Sequence, residues 1–586
     1  MIKQFDLRWW LLNNVARLDD PQGLYNLLVI ISFSAFLFLS LSPLLLVNTR
    51  KSNLRRLLVS DTAFIISSCA FIFAGRWSGL LASILNPDEG QFISGAMKLL
   101  KDPVFWRSLD TGSSGPLNIY PLILPAFFGL RLEYASARMV GLFLTAISLT
   151  CLYLSLRYLY DKIIARISVI TVVTCAALLK YADYIHYSGE LASITILSAA
   201  LLMLCRYYSQ SASGSAGLVF SFGFIIGAIP YAKLQAVPMA CLLFCVFFHI
   251  LWMRNSPRYR FFRQFFILLS GTALFSGLVL LYLFIFSLQD SFWELYIRRN
   301  LFYLDMIPAS LFEKLFSYWP SIGLIEDTNN LFVLTGIILT LGILVFMGRR
   351  NYAPVDKMQP PSFVFIYYSL AFLAVSVYAA IKPGRGYSHH LLFLIIPAGF
   401  IFGVFLAELW KILQAQESIR RSLKLVLSTT VVAAIVITNS VEVSARILIG
   451  GPYIVHTGKF IKHYVRPVVK AILKYAPTGG SLAIWGWAPE LYVDSGLVQA
   501  IKQGNLIYEI APNARQQYFL KQFASDFLNS KADIFVDVVA PGMFAFYNRE
   551  TEGFDAFPEV RGIVKKYYNF AEEVSGIRIY VRKPVE

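Results

Sequence analysis

Apolar runs of 17 or more residues recur from Leu24 to about Ala445, and ordinary mixed sequence follows. Each run is long enough to cross roughly 30 Å of hydrocarbon as a helix. A backbone in lipid must satisfy its own N–H and C=O groups, so a run of this kind coils. The spans read as 24–47, 57–82, 135–156, 164–181, 191–208, 216–231, 235–252, 264–287, 330–347, 361–381, 390–409 and 424–445. A large soluble core of buried helices would need charged faces between the runs, and they are missing. Only 15% of residues are charged, against roughly 25% in an ordinary soluble protein. The predicted class is mainly α, a polytopic transmembrane helical bundle of about 12–13 helices, with a C-terminal extracytoplasmic α/β domain.

The net charge of +17 raises nucleic acid as a partner. The basic residues instead cluster in short loops between apolar runs, as the positive-inside rule expects. Such clusters are Arg50, Lys51, Arg55 and Arg56; Arg157, Lys162 and Arg166; Arg254, Arg258, Arg260 and Arg263; Arg349, Arg350 and Lys357; and Lys411, Arg420, Arg421 and Lys424. Nucleic acid is set aside and membrane lipids are the expected surroundings. With these loops in the cytoplasm, the connections 83–134, 182–190, 232–234, 288–329 and 382–389 lie outside, together with the tail from about 446. The first span then places the N-terminus outside as well, unless 24–47 is re-entrant. All six cysteines fall in apolar runs, with neither a disulfide framework nor zinc spacing. The first run is too long for a signal-peptide core and lacks a small-residue cleavage site, so it is expected to stay in the mature protein.

Three regions follow: 1–56, an N-terminal segment with the first apolar span; 57–445, a transmembrane core; and 446–586, a soluble extracytoplasmic domain. Within the outer loop 83–134, Phe92, Ile93, Ala96, Met97 and Leu100 share one helical face and Glu89, Gln91, Ser94, Lys98 and Lys101 the other. That pattern suits a helix in the membrane interface. Pro116 to Leu130 is apolar, too short to span comfortably, and expected along the surface. In the tail, Ser481–Trp485, Ile534–Val539 and Ile577–Val581 read as strands, and 513–529 and 559–566 as helices.

Chemistry concentrates in the outer loops. Asn86-Pro87-Asp88-Glu89-Gly90 holds two adjacent carboxylates at the end of a span, costly near lipid unless solvated, paired or functional. Asp88 after proline is equally good capping chemistry for a helix from Glu89. Asp183 and Glu190 form a second acidic site, and Glu190 also suits the helix dipole of the span it opens. Lys233, Arg298, Arg299, Lys382 and Arg385 are cations on the side where the positive-inside rule asks for none. They could hold a phosphate, Arg by bidentate contact, or snorkel to headgroups. His389 and His390 read as an interfacial pair, because adjacent histidines do not easily ligate one ion and no third ligand is evident.

These residues, taken in order, resemble the GT-C superfamily of membrane glycosyltransferases, near the aminoarabinose lipid A transferases and protein O-mannosyltransferases. The matching stretches are Asp88-Glu89-Gly90, Ser114-Gly115-Pro116-Leu117, Ala135-Ser136-Ala137-Arg138 and Tyr187 to Glu190. Further along are Gly227 to Lys233, Gly386-Tyr387-Ser388-His389-His390-Leu391-Leu392, and Trp485-Gly486-Trp487 with Pro489-Glu490-Leu491-Tyr492. The likeness covers most of 57–500. The chain departs from the pattern in a single proline at 116, Glu at 190 where Asp is commoner, and one extra span before the core.

The resemblance implies an inverting transfer of sugar from a polyprenyl-phosphate donor to a glycan, lipid or protein acceptor on the outer face. A lipid phosphate leaves as a stable anion, so the reaction needs a base near the acceptor hydroxyl and positive charge on the phosphate. By resemblance Asp88 is the base, and Glu89 and Glu190 position acceptor or base. Lys233 with Arg385 hold the phosphate, Arg298 and Arg299 are further candidates, and Asp183, Tyr387 and His389 line the substrate site. No cofactor is demanded, and a divalent cation is left open. The rivals are a lipid-linked glycan transporter, which would place charge inside the spans along a pathway, and a non-catalytic scaffold, indifferent to the loss of Asp88.

Overall fold

A computed structural model describes residues 4–15, 20–46, 53–179, 181–210, 215–255, 258–305, 309–318, 336–337, 340–342, 344, 361–415, 421–448 and 465–584. Among them are nine helices long and apolar enough to cross a membrane: Pro21–Leu45, Asp61–Leu81, Tyr134–Leu159, Leu191–Ser209, Leu234–Arg254, Arg258–Ile285, Val364–Ile381, Ser388–Ile412 and Ser428–Leu448. Two shorter apolar helices, Lys162–Leu178 and Ala216–Tyr231, match the expected spans at 164–181 and 216–231. The expected span 330–347 falls mostly outside the described residues. The chain is a multi-pass membrane protein.

Small residues let the helices approach closely, as packing in lipid requires. A Cβ on Gly223 would meet the Leu268 carbonyl oxygen at 2.3 Å, and one on Gly271 the Phe220 carbonyl at 2.2 Å. The Ala216–Ala228 and Arg258–Ile285 helices therefore pack backbone to backbone. The N-terminal residues sit at the same end of the bundle as loop 83–134: Phe5 N–H donates to the Gly129 carbonyl, and Asp6 pairs with Arg131 at 3.2 Å. The Pro21–Leu45 helix reaches the opposite end, where Arg166 donates to the Leu39 and Val59 carbonyls and lies near Asp61.

The tail carries a five-stranded sheet: β1 Ser481–Trp485, β2 Val498–Gln499, β3 Ile534–Asp537, β4 Tyr568–Val574 and β5 Ile577–Arg582, in the order β2-β1-β3-β5-β4. β1 runs parallel to β2 and β3, β5 antiparallel to β3, and β4 closes a hairpin on β5. Ser575 and Gly576 both have positive φ, as a two-residue hairpin turn needs. Helices Gln516–Ser530 and Pro558–Tyr567 pack on it.

The Pro87–Leu99 helix differs from the surface-lying element its pattern suggests. Its polar face meets the tail: Ser94 Oγ donates to Gln499 at 2.8 Å, Lys98 Nζ to the Ala500 and Ile501 carbonyls, and the Asn505 amide to Gln91 at 2.8 Å. Glu89, Gln91 and Ser94 are buried. Amphipathicity marked a two-sided protein contact, for which hydropathy has no separate signature.

Candidate active site

Asp88 owes its freedom to its neighbour. Asn86, not Asp88, caps the helix, its side chain accepting from the Asp88 N–H at 2.9 Å with Pro87 at the first position. The Asp88 carboxyl is thus unspent on capping and lines a polar cavity of about 120 Å3. Around it stand Gln91, Phe92, Arg299, Tyr303, Arg385 and Tyr387, with Trp487, Asn505 and Tyr508 from the tail. Burial pushes the Asp88 carboxyl up, opposed by the charges of His389, His186 and Lys233.

Glu89 turns the other way. It is fully buried and paired with Arg138, whose Nε donates to it at 2.9 Å and whose other donors reach the Gly79, Ala82 and Ser83 carbonyls. Glu89 also accepts from the Tyr187 N–H at 2.9 Å. It ties the loops 83–134 and 182–190 together from behind the cavity and does not line it.

Glu190 occupies the cap position of the Leu191–Ser209 helix yet makes no side-chain cap bond. Its carboxylate takes the Lys233 ammonium in a buried ion pair. Burial alone would raise Glu190, but Lys233, with His389 and His390, holds it well below the usual carboxylate range. Asp183 accepts from the Asn86 amide at 2.9 Å and lies 3.9 Å from His389 Nδ1. Burial would raise its carboxyl too, yet the adjacent His389, with His186 and Asn86, brings it down to about 2. Asp183 and His389 stand behind Asp88 and do not line the cavity.

A second, larger cavity of about 430 Å3 adjoins the first, sharing Ser113, Asn300 and Tyr303. Its lining is mainly apolar, including Leu234, Val237, Pro238, Ile297, Leu301 and Pro383, with Lys233, Lys382 and His390 along one side. Lys233 and Arg385 therefore face different chambers, with Lys233 already partnered by Glu190. Arg385 lies over the Tyr303 ring at 4.6 Å and lines the polar chamber with Tyr387. Arg299 is buried in an ion pair with Asp110 and stacks on Tyr508 at 4.4 Å. Arg298 is exposed, pairs with Glu294 at 2.9 Å and lines neither chamber.

The expected interfacial pair His389-His390 has a third companion. Glu190, His389 and His390 each offer a donor atom within 4.8 Å of the others. Adjacent residues do supply two of the three, because the segment Ser388–Leu394 is a 3-10 helix in which both rings are buried. The third comes from 199 positions earlier (389 − 190), beyond the reach of local spacing. Sequence reasoning gave no role to His186 or Tyr303, which carry no local motif, and had Arg138 only as the end of a matching stretch; His186 packs edge-on against His389 with ring centroids 5.7 Å apart.

No protein-family model matches the sequence, and no curated protein matches it. Solved structures do. ArnT from Cupriavidus metallidurans bound to undecaprenyl phosphate superposes with a TM-score of 0.56 over 90% of this chain and 100% of that one, at 11% identity. The chain has the GT-C fold. ArnT from the same organism in the apo state gives 0.51 over 89% and 99%, again at 11% identity. The Archaeoglobus fulgidus oligosaccharyltransferase gives 0.41 over 86% of this chain and 72% of its own, at 10% identity. The loops 83–134, 182–190, 232–234 and 382–389 and the tail all meet at one end of the bundle, around Asp88.

Proposed function

We propose that the protein is an inverting glycosyltransferase that moves a sugar from a polyprenyl-phosphate donor to a glycan, lipid or protein acceptor. It works at the outer face of the inner (plasma) membrane, with residues 446–586 extracytoplasmic. The observation that carries this reading is the junction of two unlike chambers. The apolar one, between helices, suits a polyprenyl tail. The polar one holds a carboxyl and a guanidinium, Asp88 and Arg385, over one small cavity. ArnT, which shares the fold, has been crystallised with a polyprenyl phosphate, and that supports the donor class.

In this mechanism Asp88 takes the proton of the acceptor hydroxyl as its oxygen attacks the anomeric carbon. The bond from that carbon to the phosphate oxygen breaks on the opposite face, and the electron pair leaves with polyprenyl phosphate. The raised carboxyl of Asp88 makes it a stronger base than an ordinary aspartate. Arg385 stabilises the departing phosphate, because a preformed cation in a water-poor site needs no reorganisation. Lys233 lines the apolar chamber and keeps Glu190 ionised. Glu89, with Arg138, and Asp183, with Asn86, hold the loop that presents Asp88.

A divalent cation is a second reading of the buried cluster around Glu190. Glu190 Oε2 and His389 Nδ1 are buried without a hydrogen-bond partner among the described residues, and a carboxylate with two imidazoles is a donor set suited to zinc. Glu190, His389 and His390 would hold it, and when bound it would supply further positive charge near the leaving phosphate. The Lys233 ammonium already stands on Glu190, so metal and lysine would compete.

The deciding experiment is binding of undecaprenyl phosphate to the protein in nanodiscs, alongside transfer from glycosylated carriers. Arg385→Ala is expected to weaken binding about ten- to a hundredfold, the loss of one charge-assisted contact. Metal analysis of the purified protein, with and without chelation, tests the cation. Absence of lipid-phosphate binding to the unaltered protein would remove the donor reading.

A further inference from the structure

We propose that the C-terminal domain supplies the wall against which the transferred sugar rests, with Trp487 as its specificity-determining residue and a pyranosyl unit presenting an apolar C–H face as its ligand. This rests on the donor reading above and adds which part of the donor the tail recognises.

Four residues of the polar chamber, Trp487, Asn505, Ile507 and Tyr508, belong to the tail, although the chamber opens on a carboxyl of the first outer loop. The tail's position there is set by backbone contact. A Cβ on Gly90, two residues after Asp88, would sit 3.3 Å from the Glu490 N and from Pro489. The turn that carries Trp487 is thus pressed onto the helix that carries Asp88. The turn itself is rigid. Trp485 before it is fully buried and donates its indole N–H to the Glu552 carbonyl at 2.8 Å, and Gly486 adopts φ +118°. Trp487 then packs edge-on against Phe544, ring centroids 5.1 Å apart.

What this wall can bind follows from its chemistry. The Trp487 indole Nε1 is buried with no hydrogen-bond partner among the described residues. A buried tryptophan N–H ordinarily finds an acceptor, and leaving one unmet costs free energy. A ligand oxygen would meet it after a small turn of the ring, because the atom has almost no exposed surface of its own. Phe92, Tyr303, Tyr387 and Tyr508 add aromatic surface on the other sides. Arg299 stacked on Tyr508 and fixed by Asp110 gives one of these rings a settled place. A lipid tail is better served by the apolar chamber, and a phosphate by Arg385. Flat aromatic faces with one directed donor suit the remaining part of the donor, a sugar ring with hydroxyls at its rim and C–H bonds on its face.

The test uses the full-length protein in nanodiscs and two kinds of probe: undecaprenyl phosphate, and the same carrier bearing glucose, galactose or mannose. In the unaltered protein at least one glycosylated carrier should bind more tightly than the bare lipid phosphate. Trp487→Ala should weaken that carrier at least tenfold and change bare undecaprenyl phosphate less than twofold. Trp487→Phe keeps a face but loses the donor, and should fall between; it carries the test should Trp487→Ala melt early. Equal weakening of both probes would overturn the inference, since it would report a loosened tail. So would unchanged carrier binding with a raised acceptor KM, or glycosylated carriers that bind no better than the bare one. If bare undecaprenyl phosphate fails to bind at all, the donor reading falls first and this inference with it.

Discussion

Adjacent carboxylates Asp88 and Glu89 should respond to neutralisation in opposite ways. Glu89→Gln keeps the side chain's size but turns an amide toward the Arg138 guanidinium, itself buried with a side chain only 2% exposed. The Arg138 carbonyl contacts remain, but its charge loses its counterion. Removing one partner of a buried ion pair costs roughly 3–5 kcal/mol. For a cooperative unit of about 150–250 residues that lowers the melting temperature by roughly 6–20 °C. Asp88→Asn removes a charge that burial already disfavours, so its melting temperature should hold or rise. Its turnover should instead drop about 10²–10⁴-fold, the usual loss for a missing base. Both variants are purified in detergent, melted by intrinsic fluorescence, and assayed for transfer per folded molecule. Adding Arg138→Gln to Glu89→Gln should recover part of the lost stability, because the two act on one interaction. A well-folded Asp88→Asn with near-normal turnover would take the base away from Asp88. An unchanged melt for Glu89→Gln would refute the account of the buried pair.

Three further outcomes are expected. Lys233→Met should destabilise by roughly 3–5 kcal/mol by leaving the buried Glu190 without its ammonium, and Glu190→Gln added to it should restore most of that; small additive effects would dissolve the pair. Glu509 is fully buried, its two oxygens unpartnered among the described residues, and burial, opposed by nearby Arg299, pushes its carboxyl up to about 7 from 4.5. The folded state therefore holds that proton more tightly than the unfolded one, and stability should fall as pH climbs from 4.5 to 7, by roughly 3 kcal/mol at 1.36 kcal/mol per unit. Glu509→Gln should flatten this slope and be the more stable form at pH 8, so a slope of undiminished size would refute it. A C-terminal alkaline phosphatase fusion should be active and a fluorescent-protein fusion dark; the reverse would put Asp88 in the cytoplasm.

Much of the fold is legible because lipid reduces it to length and hydropathy, two quantities a sequence carries openly. Every expected span that falls on described residues has its helix, within a few residues at each end. The tail is less transparent. β4, Tyr568–Val574, is an edge strand with exposed Asn569, Phe570 and Glu573, so no apolar alternation announces it. β2 is two residues long and exists by pairing with β1. Capping misleads in a different way. Asp88 and Glu190 both stand where a cap belongs, yet Asn86 performs the first role and Lys233 claims the second carboxylate from 43 positions away. Local pattern identifies a residue able to cap, and tertiary partners decide whether it does.

The site was legible as a set of loops and illegible as a set of side chains, for one geometrical reason. Its polar residues come in adjacent pairs, Asp88 with Glu89, Arg298 with Arg299, and His389 with His390. Consecutive residues point about 100° apart in an α-helix and about 120° apart in a 3-10 helix, so a pair seldom shares one cavity. The structure splits all three: Asp88, Arg299 and His390 line a chamber, while Glu89 and His389 lie behind it and Arg298 stays at the surface with Glu294. In each case the neighbour turned away faces an opposite charge elsewhere: Glu89 pairs with Arg138, Arg298 with Glu294, and His389 lies 3.9 Å from Asp183. Asp88, held at an angle by the ion pair of Glu89 with Arg138, is thereby preorganised without spending its own carboxyl, the condition a base has to meet. Trp485 and Trp487 divide in the same way: the first is spent on the tail's core, and the second, whose ring lines the cavity, is left with an unmet donor.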